Sequence, residues 1–254
     1  MKPDEWIALW QKEAEHDFSG WDFSYIADRY HEQKPPWSYD TLVRSLLPAA
    51  DSVLDMGTGG GEKLREFADA LPRQTSATEG YAPNIPVAAA NLQPLGVEVV
   101  PYDSEQDSRM PFADNHFALI INRHESFDAA EIARVLRPGG VFFTQQVGGD
   151  DMADLLSRFG MEPDYPHVTL ANFRQELAAA GLAIEDAGDW HGQATFSDVG
   201  ALVYFLHAVP WHAPDDFSVA NYADTLLALN ALPKPLTFTV RRFWLQARKP
   251  SAAG

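Results

Sequence analysis

Residues 53–62 read Val-Leu-Asp-Met-Gly-Thr-Gly-Gly-Gly-Glu, an apolar strand that runs into an acid and then into glycines at alternate positions. Glycine at 57, 59 and 61 lets the backbone turn sharply and come close to a ligand where any Cβ would intrude. Such a loop binds with its main chain, and the chemistry it serves is capture of a nucleotide-type cofactor at the end of a strand. Farther on, Thr75-Ser-Ala-Thr-Glu79 reads as a second strand ending in an acid. A carboxylate there can accept hydrogen bonds from both hydroxyls of a ribose.

The loop also shows which cofactor it does not suit. A dinucleotide fingerprint needs glycine or alanine at position 62 and seats a pyrophosphate on the following helix N-terminus. Position 62 is glutamate. Its carboxylate suits the helix dipole but competes with the phosphate that the same dipole would attract, and Asp55 adds a second negative charge. Two acids flanking a glycine turn suit a ligand with an amino group, hydroxyls and a positive centre but no phosphate. S-adenosyl-L-methionine answers that description.

Asp55-Met-Gly57-Thr58-Gly59-Gly-Gly61 resembles motif I of the class I S-adenosylmethionine-dependent methyltransferases, of the type 11-like kind, and four further segments follow in the family's order. Glu79 is one. Val97-Glu-Val-Val-Pro-Tyr-Asp103-Ser104 is a short strand whose exit carries an acid where the family contacts the adenine amino group. Met110-Pro-Phe-Ala-Asp-Asn-His-Phe117-Ala-Leu-Ile-Ile-Asn122 resembles the family's approach to strand four, and in Arg134-Val-Leu-Arg-Pro-Gly-Gly140-Val-Phe-Phe, Pro138 and the glycine pair end a helix and start a buried strand. The resemblance covers about residues 40 to 190. It implies S-adenosylmethionine as cofactor, held by Asp55, Gly57, Thr58, Gly59, Gly61, Glu79, Gly80, Tyr81, Asp103, Ser104, Asn122 and Arg123.

The elements that must position these residues alternate as a doubly wound sheet requires. Helices are expected over 62–71, 84–92, 128–136 and 169–180, the last ended by Gly181, with strand six over 182–187. The closing run from Leu236 resembles the family's antiparallel last strand. The expected fold is α/β: a Rossmann-like, doubly wound, seven-stranded mixed sheet with the last strand antiparallel, in a three-layer α/β/α sandwich.

Composition sets outer limits. The 254 residues, 46% of them apolar, suffice for one α/β domain with appendages. The absence of cysteine excludes disulfides and thiolate metal sites, and fits a cytoplasmic setting. The charged start Met1-Lys-Pro-Asp-Glu is read as no secretory signal. The longest nearly apolar stretch, Gly200 to Trp211, contains His207 and falls short of the ~18 residues of a membrane span, so no membrane partner is expected. A formal charge of −17 would repel a phosphate backbone, and the only compact basic cluster is Arg241-Arg242, so nucleic acid is not the expected partner.

Two segments fall outside the scaffold. Residues 1–40 form an expected N-terminal helical cap holding Trp6, Trp10, Phe18, Trp21, Phe23, Tyr25, Tyr30, Trp37 and Tyr39, too polar overall to be a core of their own. Residues 191–233 form an expected insertion between strands six and seven, with helix candidates at 199–209 and 219–229. In this fold both lie near the cofactor end of the sheet, so they could roof the acceptor site; alternatively, their aromatics staple helices to the sheet. Trp37 and Tyr39, just before the first scaffold helix, are candidates for cofactor contact.

Methyl transfer from a sulfonium is an in-line displacement, which the protein serves by holding reacting atoms at ~3–3.5 Å. No obligatory catalytic residue follows. For a hydroxyl acceptor a base helps, and His124 is the candidate because Asn122-Arg123-His124-Glu125 follows strand four; Glu125 could orient it. The competing reading of His124 is a hydrogen-bonded loop residue. His16, His31, His191, His207 and His212 show no metal-ligand spacing. The expected function is therefore an S-adenosylmethionine-dependent methyltransferase acting on a small-molecule acceptor. The alternatives are a non-catalytic cofactor-binding sensor or scaffold, and a nicotinamide-dependent oxidoreductase, which Glu62 and the lack of a Tyr-x-x-x-Lys motif disfavour. Neither the acceptor nor the oligomeric state is legible in the sequence.

Overall fold

A computed structural model describes residues 1–18 and 22–251; Trp21, counted among the aromatics of the expected cap, lies outside them. Eight strands follow in chain order: β1 (Tyr30–Glu32), β2 (Ser52–Met56), β3 (Gln74–Glu79), β4 (Glu98–Pro101), β5 (Phe117–Arg123), β6 (Leu136–Val147), β7 (Ala183–Phe196) and β8 (Leu236–Arg248). The chain divides into two compact units. One comprises residues 36–147, 167–189 and 242–254, and the other residues 1–35, 148–166 and 190–241. The long strands β7 and β8 therefore contribute residues to both.

The first unit carries the expected scaffold. Its strands lie in the order β7-β8-β6-β5-β2-β3-β4, parallel from β6 to β4, with β8 antiparallel to β6 from Val141 opposite Arg248 to Val147 opposite Arg242. The central strands are buried on both faces, which is why Phe117 to Ile121 of β5 read as an unbroken apolar run and β2 is buried along its whole length. The chain leaves β2 toward β3 on one side and later returns to β5 on the other, so the topological switch point lies between β2 and β5. Ligands of open α/β sheets bind at the carboxyl ends of the strands at such a point. Parallel register places Asp55 opposite Ala77 and Ile121, and Met56 opposite Asn122, so the ends of β2, β3 and β5 lie side by side.

Four helices begin at a residue whose side chain caps them. Ser38 accepts from the Thr41 amide, Asp128 from those of Ala130 and Glu131, Thr169 from that of Asn172 and Asp198 from that of Ala201. The helix after the glycine loop is shorter than expected. It spans Glu62–Arg65 and gives way to tight turns in which Ala68 and Ala70 bond back three residues. The approach to β5 is fastened by Arg134, which donates to the Met110 and Phe112 carbonyls while pairing with Glu131 at 2.6 Å.

The second unit corrects the expected division of the flanks. β7 runs on to Phe196, so the segment expected as an insertion from residue 191 starts within a strand. β1, absent from the seven-stranded expectation, pairs antiparallel with its end, Tyr30 opposite Phe196. The N-terminal segment does not stand alone: Trp10, Ile26, Met152, Leu155, Phe196, Tyr204, Leu226 and Val240 share one buried core. Trp10 stacks on Trp6 with ring centroids 5.9 Å apart, and Arg29 bonds Glu13 through two contacts of 2.8 and 3.1 Å. Residues 148–166 belong to this unit and had no place in the expected scheme. No helix among the described residues is long and apolar enough to cross a membrane.

Candidate functional site

The glycine loop after β2 is held on three sides. Thr58 donates its amide to the Thr78 carbonyl at 2.9 Å, Gly59 donates to Glu79 Oε2 at 2.7 Å, and Asn91 Nδ2 donates to the Gly60 carbonyl at 2.9 Å. Gly57, Gly59 and Gly61 all have left-handed φ, of +62°, +62° and +84°, a conformation that glycine adopts without penalty. A Cβ on Gly57 would stand 2.5 Å from the Glu125 side chain, whereas one on Gly59 would meet nothing within 4 Å. The loop is therefore backed by Glu125 at one glycine and open at the next.

Glu79 is buried, and its second oxygen accepts from the Tyr81 amide at 2.8 Å. Each of its oxygens keeps a lone pair for a hydroxyl. Tyr81 itself is 65% exposed. Gly80 passes close beside Asp103, whose Cβ would stand 3.0 Å from an added Cβ there. The Asp103 carboxylate is engaged in its own turn, accepting from the Glu105 amide and from Gln106 Nε2. Ser104 bonds Ser126 at 2.7 Å, which ties the loop after β4 to the loop after β5.

The acids repel one another. Asp55 is pushed up to about 7, chiefly by burial; the Thr58 hydroxyl, close by without meeting hydrogen-bond geometry, and Arg123 pull it down, while Glu79 adds to the rise. Glu125 is raised first by burial, then by Glu79 and also by Asp103, with Ser126 opposing. A cation among them would offset the repulsion between the acids.

His124 has a left-handed backbone, φ +63°, held by its amide bond to the Gln145 carbonyl at 2.9 Å. Solvent reaches the side chain, yet protein atoms crowd round it, as for a group in the wall of a recess. That crowding, with Arg123 and Arg242 nearby, lowers the imidazole pKa and keeps the ring neutral. Glu125 does not orient it: the Glu125 carboxylate bonds Ser126, while His124 Nε2 lies 3.4 Å from Gln145 Nε2. Trp37 reaches the same glutamine, donating Nε1–H to Gln145 Oε1 at 2.9 Å. Tyr39 is buried against Phe67 and Phe143, with the Arg123 guanidinium 5.7 Å from its ring centroid.

Two expected cofactor contacts have a different setting. Asn122 is fully buried, its Oδ1 accepting from the Thr144 hydroxyl at 2.9 Å and from Gln146 Nε2 at 2.8 Å, while its Nδ2 has no hydrogen-bond partner among the described residues. Tyr39 is buried in the core beside the helix that it opens. Gln145 and Gln146 were missed by the sequence reading. Their signal was present, as two amides at the carboxyl end of an otherwise apolar strand, Val-Phe-Phe-Thr-Gln-Gln.

Residues 53–140 match the model of a family described as a methyltransferase domain. The ubiquinone/menaquinone biosynthesis C-methyltransferase of Chromobacterium violaceum is 30% identical over 116 residues, 42% of this chain and 47% of that protein. A candidate 23S rRNA (guanine-N(1)-)-methyltransferase of Micromonospora griseorubida is 27% identical over 111 residues, 44% of this chain and 37% of that one. The chain thus spans less than half the length of these curated relatives. Among solved structures, a candidate methyltransferase of Bacillus halodurans shares the fold with a TM-score of 0.57 at 20% identity, over 83% of this chain and 100% of that one. The matched segment contains the glycine loop, Glu79, Asp103 and Arg123 to Glu125, so the residues of the candidate site lie within the part of the chain that is similar to a methyltransferase domain.

Proposed function

We propose that this chain binds S-adenosylmethionine over the glycine loop and transfers its methyl group to a small-molecule acceptor. The observation that carries the reading is the group of acids, Asp55 and Glu125 each repelled by Glu79, around a loop whose Gly59 opens onto free space. A cofactor that is cationic at sulfur and ammonium fits this charge, and a pyrophosphate does not. Glu79 is suited to the ribose hydroxyls, the exposed Tyr81 ring and the neighbouring Asp103 to the adenine, and Asp55 and Glu125 to the positive end.

When bound, S-adenosylmethionine supplies an activated methyl group on a sulfonium. The chain's share is orientation: the open face of the loop at Gly59 and the Glu79 carboxylate would hold the cofactor, and Glu125 at the end of β5 would stand by its positive end. Where an acceptor must lose a proton, Glu125, whose pKa burial raises, suits the task better than His124, whose basicity is depressed. The formal charge of −17 supports a small-molecule acceptor over RNA. Equilibrium dialysis with S-adenosylmethionine and S-adenosylhomocysteine, on the wild type and on Glu79→Ala, tests the reading. Binding by the wild type that the folded variant loses is expected; no binding by the wild type contradicts it.

A further inference from the structure

We propose that Gln145 is a positioning residue that fixes which nitrogen of the His124 ring carries the proton, so that His124 acts as a hydrogen-bond donor through Nδ1–H and not as a base. Trp37 sets the orientation of the Gln145 amide. An indole N–H only donates, and at 2.9 Å from Gln145 Oε1 it requires the oxygen end of that amide to face it. The NH2 end is thereby turned to His124, with the two Nε2 atoms 3.4 Å apart. An amide NH2 also only donates, so the ring nitrogen facing it must carry a lone pair. In a neutral imidazole the remaining nitrogen, Nδ1, then holds the proton.

Three further observations support this arrangement. The protein atoms crowded round it and two neighbouring arginines keep the ring neutral, the condition under which a tautomer has meaning. The His124 amide bonds the Gln145 carbonyl, so backbone and side chain of the same two residues are both joined. And φ of +63° at a histidine is a conformation that costs energy, of the kind retained where a side chain must be held in one place. Gln145 is itself buried, so its amide is held between these two partners.

The use of that proton rests on the proposed transfer reaction. An N–H donor one residue from Glu125, which backs Gly57, suits an acceptor that presents a carbonyl, enolate or phenolate oxygen, a group in need of a hydrogen bond and not of proton removal. Arg123, on the other side of His124 in the chain, brings a positive charge of the same use.

Nitrogen-15 NMR of the full-length, histidine-labelled protein tests the assignment, with His124→Asn identifying the signal. The wild type is expected to show Nδ1 protonated and Nε2 bare. Gln145→Glu keeps an acceptor for Trp37 but offers a second acceptor to the ring, and is expected to move the proton to Nε2. Trp37→Phe releases the amide and is expected to give a mixture of tautomers, a second readout should Gln145→Glu fail to fold. A protonated Nε2 in the wild type, or an unchanged tautomer in a folded Gln145→Glu, overturns the proposal. S-adenosylhomocysteine titration of the same samples separates the two claims, since absent binding with Nδ1–H intact sinks the methyltransferase reading alone.

Discussion

Glu79, at the end of β3, reaches back to accept the Gly59 amide at 2.7 Å, and its other oxygen accepts the Tyr81 amide at 2.8 Å. The acid suited to the ribose therefore also holds the loop in shape. Glu79→Ala removes charge-assisted bonds worth about 1.5–3 kcal/mol of cofactor affinity and frees two backbone donors besides. Glu79→Gln, which keeps one acceptor, is expected to lose less. Calorimetric S-adenosylhomocysteine affinities of both variants check this, and an unaltered affinity in folded Glu79→Ala refutes the assignment.

Asp55 makes stability depend on pH. Its folded pKa, about 7, lies above its ordinary value of 3.8, so the folded state binds more protons between those values. Stability then falls as pH rises through that window. Asp55→Asn is expected to stabilise the cofactor-free protein above pH 7, by up to about 4 kcal/mol, and to have little effect below pH 4. Denaturant unfolding of both proteins at several pH values measures the difference; a gain that is equal at all pH values contradicts the burial argument.

Gly57→Ala meets two penalties at once. The left-handed backbone costs an alanine about 1–2 kcal/mol, and its Cβ would stand 2.5 Å from Glu125. The variant is expected to displace Glu125 and weaken cofactor binding at least tenfold. Gly59→Ala carries the same backbone cost without the clash, so similar stability with a milder loss would place the damage at Glu125. Equal losses would show that the contact has no role.

His124→Gly is expected to stabilise the fold by roughly 0.5–1 kcal/mol, since glycine accepts φ of +63° where histidine is strained. Activity on any acceptor found should fall in the same variant. A destabilised His124→Gly would show that the ring's contacts, and not its function, account for the histidine.

The N-terminal segment is expected to behave as core. Trp10 is 1% exposed within the second unit, and Trp10→Ala should cost about 3–5 kcal/mol. Thermal unfolding reads the loss; a melting temperature within a degree or two of the wild type contradicts the packing described.

Legibility in the sequence followed physical locality. Asp55 to Gly61 and Glu79 could be read because strand ends and glycine turns are written in consecutive residues, and the helix over Asn84–Leu92 emerged with the expected bounds for the same reason. The helix expected over 62–71 shortened because its propensity gave way to turns packed under Leu64 and Phe67. The long extension of β7, the pairing of β1 and the shared core of the second unit depend on contacts between segments more than a hundred residues apart, and no local pattern carries those. Gln145 escaped notice because its meaning lies in two partners, Trp37 and His124, that only the fold brings to it.

The central claim is that the glycine loop and its acids hold a cationic, phosphate-free nucleoside cofactor. Titration calorimetry at pH 7 with S-adenosylmethionine and, separately, with NADH tests it most directly. Saturable one-to-one binding of S-adenosylmethionine is predicted, with release of a proton as Asp55 ionises beside the bound charge and with no measurable binding of NADH. Saturable NADH binding with none for S-adenosylmethionine or S-adenosylhomocysteine would contradict the account.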